Sequence, residues 1–212
     1  MIVALLGATG LTGQLTLERL LQHDAVTSVI VFGRRPSPVT HHKLQQFQLQ
    51  ALPDTLPTVD AFICCIGTTI KKAGSKAAFI KVDRTLPVQL ATQLHARGCS
   101  CMAVVSSMSA SPSSPFFYTR VKGDMEEDLK QIGFTSLHIL RPSIIDGPRQ
   151  ENRPMEKFGL AFTKLMHPLM LGSLKHYKAI KASTIADGLL KAVLQQRPGQ
   201  FTYLSADIPK IS

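Results

Sequence analysis

The apolar run Ile2-Val3-Ala4-Leu5-Leu6 breaks directly into Gly7-Ala8-Thr9-Gly10-Leu11-Thr12-Gly13. A helical pattern follows, with Leu15, Leu17, Leu20 and Leu21 set among Gln14, Glu18 and Arg19. The run is short enough for one buried strand. A strand that passes through glycines into a helix constrains the fold more than any other feature of this chain. Gly7 permits the tight turn, Gly10 lets the backbone approach a pyrophosphate, and Gly13 lets the helix lie close to the strand. The unpaired N–H groups and partial positive charge of the helix start then face the phosphates. Residues Gly7 to Gly13 are read as a dinucleotide-binding turn.

The rest of the chain repeats the alternation. Val29–Phe32, Gln46–Leu49, Ala61–Ile66, Met102–Val105, Leu137–Leu140 and Gln200–Leu204 read as further strands, the second of these weakly. Phe79 to Arg97 reads as a helix with Leu86, Leu90, Ala91 and Leu94 on one face, Pro87 near its start and Gly98 as its stop. Val121 to Ile132 reads as a helix ended by Gly133, and Ser183 as the N-cap of a helix through Leu194. Strands followed by helices predict an α/β fold: a Rossmann-type, doubly wound parallel sheet forming one domain over residues 1–212. After Gly147-Pro148 the pattern changes, and residues 149–176 are expected to form a small C-terminal lid region over the substrate end of the sheet.

At 212 residues the chain can bury a substantial core. No apolar run approaches the roughly 20 residues of a membrane span. The first strand has no basic stretch before it, so no signal peptide is read and a cytoplasmic location is expected. The formal charge is +10, from 24 Lys and Arg against 14 Asp and Glu. These charges are dispersed and carry no interleaved aromatics, so a polyanionic small molecule is a better partner than a specific nucleic acid. Neither Cys64-Cys65 nor Cys99-x-Cys101 has zinc-ligand spacing, and packed, reduced thiols are expected with no metal. Membrane association is not expected, and the oligomeric state is left open, with a homo-oligomer allowed.

Three constellations carry chemistry. Gly33-Arg34-Arg35 follows the second strand, where an acid would hold a ribose 2′-OH. Guanidinium groups instead bind a 2′-phosphate, so NADP(H) is expected over NAD(H), with Arg34 the stronger candidate and Arg35 the other. Ile66-Gly67-Thr68-Thr69 ends the fourth strand, where Gly67 would admit the cofactor and Thr68 could supply a hydroxyl. The basic stretch Lys71-Lys72-Ala73-Gly74-Ser75-Lys76 follows and reads as a loop. Finally, Val105-Ser106-Ser107 precedes Tyr118-Thr119-Arg120-Val121-Lys122. Tyr118 and Lys122 are four apart and share one helix face. An ammonium beside a phenol favours the phenolate, which suits Tyr118 to proton transfer. Lys122 could also hold the nicotinamide ribose, and a serine at the strand end could polarise a carbonyl.

With Gly7, Gly10 and Gly13 spaced as Gly-x-x-Gly-x-x-Gly, and with Tyr118-x-x-x-Lys122, the chain resembles an atypical short-chain dehydrogenase/reductase of the NAD(P)-binding Rossmann family. More narrowly it resembles the HIV Tat-interacting protein group. The carriers are Cys64-Cys65-Ile66-Gly67-Thr68-Thr69, Lys72-Ala73-Gly74, Val82-Asp83-Arg84, Val121-Lys122-Gly123 and Arg149-Gln150-Glu151-Asn152-Arg153-Pro154. The likeness runs from Met1 to about residue 200. It implies Ser107, Tyr118 and Lys122 as the catalytic set, with Ser106 as the alternative serine. It also implies Arg141-Pro142, with Ser106 and Lys122, on the cofactor side. The implied activity is reversible hydride transfer to a small carbonyl or alcohol; a regulatory NADPH-sensing protein without turnover is the alternative. Ser107 and Tyr118 are closely spaced, with Pro112 and Pro115 between them, and the chain is shorter than sugar-nucleotide epimerases of the extended branch.

Overall fold

The computed structural model describes residues 1–147 and 179–211. A seven-stranded sheet runs through them in the order β3-β2-β1-β4-β5-β6-β9, and every neighbouring pair is parallel. Its strands are β1 (Ile2–Leu6), β2 (Ser28–Gly33), β3 (Leu44–Gln48), β4 (Ala61–Cys64), β5 (Cys101–Val105), β6 (Ser136–Arg141) and β9 (Gly199–Leu204). A two-residue pair, β7 (Ile145–Asp146) with β8 (Ile180–Lys181), lies apart from it. The helices are α1 (Leu11–Gln22), α2 (Ile70–Ala73), α3 (Lys76–Ile80), α4 (Leu86–His95), α5 (Phe117–Ile132) and α6 (Ala182–Gln195). The doubly wound Rossmann-type sheet expected from the sequence is present, and the strand order reverses between β1 and β4. The 149–176 segment lies outside the described residues.

The central strands read as unbroken apolar runs because both of their faces are covered. Val3 and Leu5 of β1, Val29 and Val31 of β2 and Ile63 of β4 pack with Leu17 and Leu20 of α1 and Ile185 and Leu189 of α6. The alternate residues Ala4, Leu6, Ile30, Phe32 and Phe62 pack on the opposite face with Leu90 and Leu94 of α4 and Met125 and Leu129 of α5. At the edge, β3 exposes Gln45, Gln46 and Gln48 and half-buries Leu44 and Phe47, which is why its sequence signal is weak.

The predicted 79–97 helix begins earlier and is not regular. α3 passes into a π turn, Lys81–Thr85, and then into α4. The Leu86 N–H reaches the Lys81 carbonyl across five residues. Pro87 supplies the reason. It has no N–H to give the Asp83 carbonyl, and its ring would collide with that carbonyl in a regular helix. The widened turn relieves the collision and points Asp83 into the protein, where it is fully buried. Ser183 is also corrected: α6 starts at Ala182 with Lys181 as its N-cap, so Ser183 lies inside the first turn. The basic 71–76 stretch is partly helical, because Thr69 Oγ1 accepts the Lys72 N–H and Gly74 closes α2 in the left-handed conformation.

Beneath the carboxyl ends of the strands, buried Glu126 of α5 joins three elements. It accepts the Ser106 hydroxyl, and Arg141 Nη2 donates to its Oε2 at 2.5 Å. Arg141 Nε adds contacts at 3.0 and 3.1 Å to the two carboxylate oxygens. This forked pairing holds the ends of β5 and β6 against α5. Arg141→Met is expected to lower the unfolding free energy in urea by about 3 kcal/mol, because a buried carboxylate loses its counter-charge. Adding Glu126→Leu should recover more than half of that loss.

Candidate active site

The glycine turn, the end of β2, the β4–α2 connection, the end of β5 and the start of α5 gather at the carboxyl end of the sheet, around the point where strand order reverses. Ligands of open parallel sheets bind in that crevice. Gly7 turns with φ +94°, and a Cβ on Gly13 would lie only 2.0 Å from the Gly7 carbonyl oxygen. α1 can therefore press its first turn onto the turn that precedes it. Gly10, its N-cap, offers no side-chain cap, and no acid stands in the first turn. The N–H groups of Leu11, Thr12 and Gly13, which have no partner within a regular helix, are left for a ligand. A Cβ at Gly10 would meet little but the Gly7 oxygen at 3.5 Å, so the cradle is open on that side. Ala8 and Thr12 are buried beneath it, whereas Thr9 is exposed. Open backbone donors at the start of a twelve-residue helix fit the phosphates of a dinucleotide.

Arg34 and Arg35 follow β2 and are exposed, with no ion pair to any described residue. Gln46 of β3 fixes the loop beyond them. Its Oε1 accepts the Ser37 N–H at 2.6 Å and its Nε2 donates to the Ser37 carbonyl at 3.2 Å. Two exposed guanidinium groups, without an ion pair among the described residues, thus stand at the strand end beside the glycine turn.

Gly67 and Thr68 leave β4 on the other side. The Thr68 hydroxyl lies 3.5 Å from the Thr69 carbonyl, and its N–H donates to Asp83 Oδ2 at 2.9 Å. Asp83 Oδ1 faces Lys122 Nζ at 2.9 Å. Lys122 is buried, and burial, the largest single influence, pulls its pKa down. The Asp83 carboxylate, by charge and hydrogen bond, is the chief influence opposing it, and the ammonium is held above the ordinary lysine range. Tyr118 and Lys122 both belong to α5, one turn apart. Tyr118 is 40 % exposed and packs against Phe79, with ring centroids 5.8 Å apart. Tyr118 is thus open to solvent, whereas the lysine one turn along is buried.

The two serines differ. Ser106 is buried and its hydroxyl belongs to Glu126; Ser107 is half-buried, and its Oγ has only a 3.2 Å contact to the Met108 carbonyl. The end of β5 is fixed by the Met108 N–H, which donates to the Pro142 carbonyl at 2.9 Å. The short Ser107–Tyr118 connection fits because Gly123 has no side chain. A Cβ there would come within 2.2 Å of the Ser111 carbonyl carbon, so the loop lies directly on α5. Ser107 thus stands at the carboxyl end of β5, Tyr118 in the first turn of α5 and Lys122 buried one turn further on, while Arg141 and Ser106 belong to the Glu126 network. Asp83 and Glu126 have no assigned role in the sequence reading. Their signals were an acid four residues before a proline in a helix, and an acid one turn beyond Lys122 on the face of Tyr118. The four cysteines are free and at least half-buried; burial pushes Cys64 up to about 11 and Cys101 up to about 11.

The HIM1 family pattern matches residues 24–178. Protein fmp52, mitochondrial, of Aspergillus niger is 35% identical over 209 residues, covering 93% of this chain and 89% of that protein. Protein HTATIP2 of Rattus norvegicus is 33% identical, covering 73% of this chain and 66% of the rat protein. Among solved structures, MoeE5 in complex with UDP-glucose and NAD aligns with TM-score 0.70 at 14% identity, over 98% of this chain and 79% of that one. The human epimerase family protein SDR39U1 with NADPH aligns with TM-score 0.59 at 16% identity, over 96% and 74%. The cytoplasmic location expected from the sequence is overturned by the fmp52 relatives, which are named as mitochondrial proteins. That expectation weighed an apolar secretory leader and a membrane span, and neither bears on a mitochondrial address.

Gly13→Ala is expected to destabilise the fold by about 1–3 kcal/mol, through the overlap with the Gly7 carbonyl. Gly10→Ala should unfold like the wild type. Urea titration of the two variants side by side checks the contrast.

Proposed function

The chain belongs to the HIM1 family, and from that premise we propose that it is an NADP(H)-dependent oxidoreductase acting on a small carbonyl or alcohol substrate. The observation that carries the cofactor choice is the pair of exposed guanidinium groups of Arg34 and Arg35, without an ion pair among the described residues, beside an open helix-start cradle. A 2′-phosphate in that position gains charge-assisted hydrogen bonds, which a bare ribose hydroxyl cannot match. The solved neighbours carry NAD in one case and NADPH in the other, which supports a nicotinamide dinucleotide in general. When bound, that dinucleotide supplies or accepts the hydride.

The chain's own residues supply the rest. The N–H groups of Leu11, Thr12 and Gly13 bind the pyrophosphate at the head of α1. Gly67 leaves room for the dinucleotide along the β4 end. Tyr118 gives its phenolic proton to the substrate oxygen during reduction and takes it back during oxidation. Lys122, one turn along the same face, is buried below it and paired with Asp83. The half-buried Ser107 hydroxyl orients the carbonyl from the end of β5.

Two outcomes test this reading. Titration calorimetry with NADPH and then NADH should show tighter binding of NADPH. Arg34→Glu should weaken NADPH by roughly 30-fold or more, about 2 kcal/mol, with a much smaller effect on NADH. Tyr118→Phe should leave the NADPH affinity within about twofold and reduce turnover of a responsive carbonyl roughly 100-fold or more. Tight NADPH binding without oxidation by any of a broad carbonyl panel would instead favour a regulatory, NADPH-sensing role.

A further inference from the structure

Helices α2 and α3 lie on the connection that leaves the carboxyl end of β4, and the start of α5 ends the connection that leaves β5, the next strand in the sheet. Ring contacts join the two. Phe79 of α3 packs against both Phe117 and Tyr118 of α5, with centroids 5.6 and 5.8 Å apart, and Lys76 Nζ lies 5.4 Å from the centre of the Phe117 ring. Lys76 is exposed and has no carboxylate partner among the described residues. The neighbouring sequence supplies none. Between Asp60 and Asp124 the only acid is Asp83, which is buried against Lys122. The next acids of α5 are already paired, Asp124 and Asp128 with Arg84, Glu126 with Arg141 and Glu127 with Lys130. The same stretch carries Lys71, Lys72 and Lys81 besides Lys76. Among the described residues, the large apolar side chains left exposed are Val39, Ile70, Phe116 and Tyr118, and all but Val39 stand on these two connections.

A lysine held over an aromatic face keeps its charge while the ring replaces part of its water. An anion that reaches it meets a cation and an apolar surface together. Exposed apolar groups and unmatched cations on the elements that carry Tyr118 therefore fit one kind of ligand, an apolar body with an anionic end. A cofactor 2′-phosphate is not that anion. Arg34 and Arg35 follow β2, and the ends of β2 and β5 are three strand positions apart, roughly 14 Å. We propose that Lys76 is a specificity-determining residue. The substrate is a carbonyl compound with an apolar or aromatic body and an anionic group, carboxylate or phosphate. Lys76 receives the anion while the apolar body lies against Phe117, and exposed Lys71 adds field of the same sign. The inference rests on the proton-transfer role proposed for Tyr118.

The test compares aldehydes matched in shape and differing in charge. One pair is para-carboxybenzaldehyde and its methyl ester; the other is para-formylphenyl phosphate and para-methoxybenzaldehyde. Each is titrated calorimetrically into the full-length protein in the presence of excess NADP+, which carries no hydride to give, so binding is read without turnover. The anionic member of at least one pair is expected to bind roughly tenfold or more tightly than its uncharged partner, and the pair that shows the larger preference names the anion. Lys76→Gln should close the difference to within about twofold, and Lys76→Arg should retain it. The NADP+ affinity should stay within about twofold in both variants. Lys76 is exposed, so neither substitution disturbs the core. Equal affinity within both pairs, or no measurable binding of either anionic compound, overturns the proposal. A preference that survives Lys76→Gln overturns it equally, as does a loss of NADP+ affinity of about tenfold in that variant, which would assign the lysine to the cofactor. Absence of NADPH oxidation by all four aldehydes, with the charge preference intact, would count against the proposed proton transfer by Tyr118 and uphold the binding role of Lys76.

Discussion

The close approach of α1 to the turn before it governs the rest of the architecture. With only hydrogen on Gly13, the first turn of the helix rests against the Gly7 carbonyl, and that contact sets both the position and the direction of α1 over the sheet. A side chain at either glycine would move the helix away, and its N–H groups would no longer point across the crevice between β1 and β4. The buried faces on the two sides of the sheet follow from the same placement. Leu17 and Leu20 reach β1, β2 and α6 only when the helix lies this near. The cradle and the core are therefore one construction, and a phosphate site costs this fold no separate device.

A second layer lies under the rim, where two carboxylates are buried in different company. Glu126 meets Arg141 and the Ser106 hydroxyl, and it joins the ends of β5 and β6 to α5. Asp83 meets Lys122 and the Thr68 N–H, and it joins the π turn to α5 and to the β4 end. Buried ion pairs add little net stability, but removing one partner is severe, so each network makes its elements move together. Glu126 lies one turn beyond Lys122, which lies one turn beyond Tyr118. A single face of α5 thus carries the exposed phenol, the buried ammonium and the buried anchor in order of increasing depth.

The sheet was legible in the sequence because burial on both faces leaves strands as unbroken apolar runs, as in Val29–Phe32 and Met102–Val105. Legibility fell where packing is one-sided, as at β3 with its exposed glutamines. It fell again where local preference is weak. α5 begins at Phe117 rather than Val121, because Phe116 provides no side-chain cap and the loop over Gly123 holds the first turn instead. The rim residues Tyr118, Lys122, Arg34 and Gly67 could be named from spacing and from the strand ends they follow. Asp83 could not be given its role in the same way. Its partner is 39 positions away in sequence, and its inward aim depends on a distortion that Pro87 imposes one helical turn later.

That distortion links a backbone constraint to chemistry. A proline at the start of a helix is ordinarily tolerated because the N–H it lacks has no partner there. Here α3 runs into α4 without a break, so Pro87 acts as an interior proline and the helix must widen to keep it. The residue whose carbonyl is displaced is Asp83, and the displacement turns its carboxylate toward the ammonium below the tyrosine. Without the π turn, an aspartate at this register would follow the regular helix, and Lys122 would lie buried without a counter-charge. A buried lysine in that state sheds its proton. The proline, the acid and the lysine are therefore a single unit, and the charge state of the rim is set in the helix that faces it.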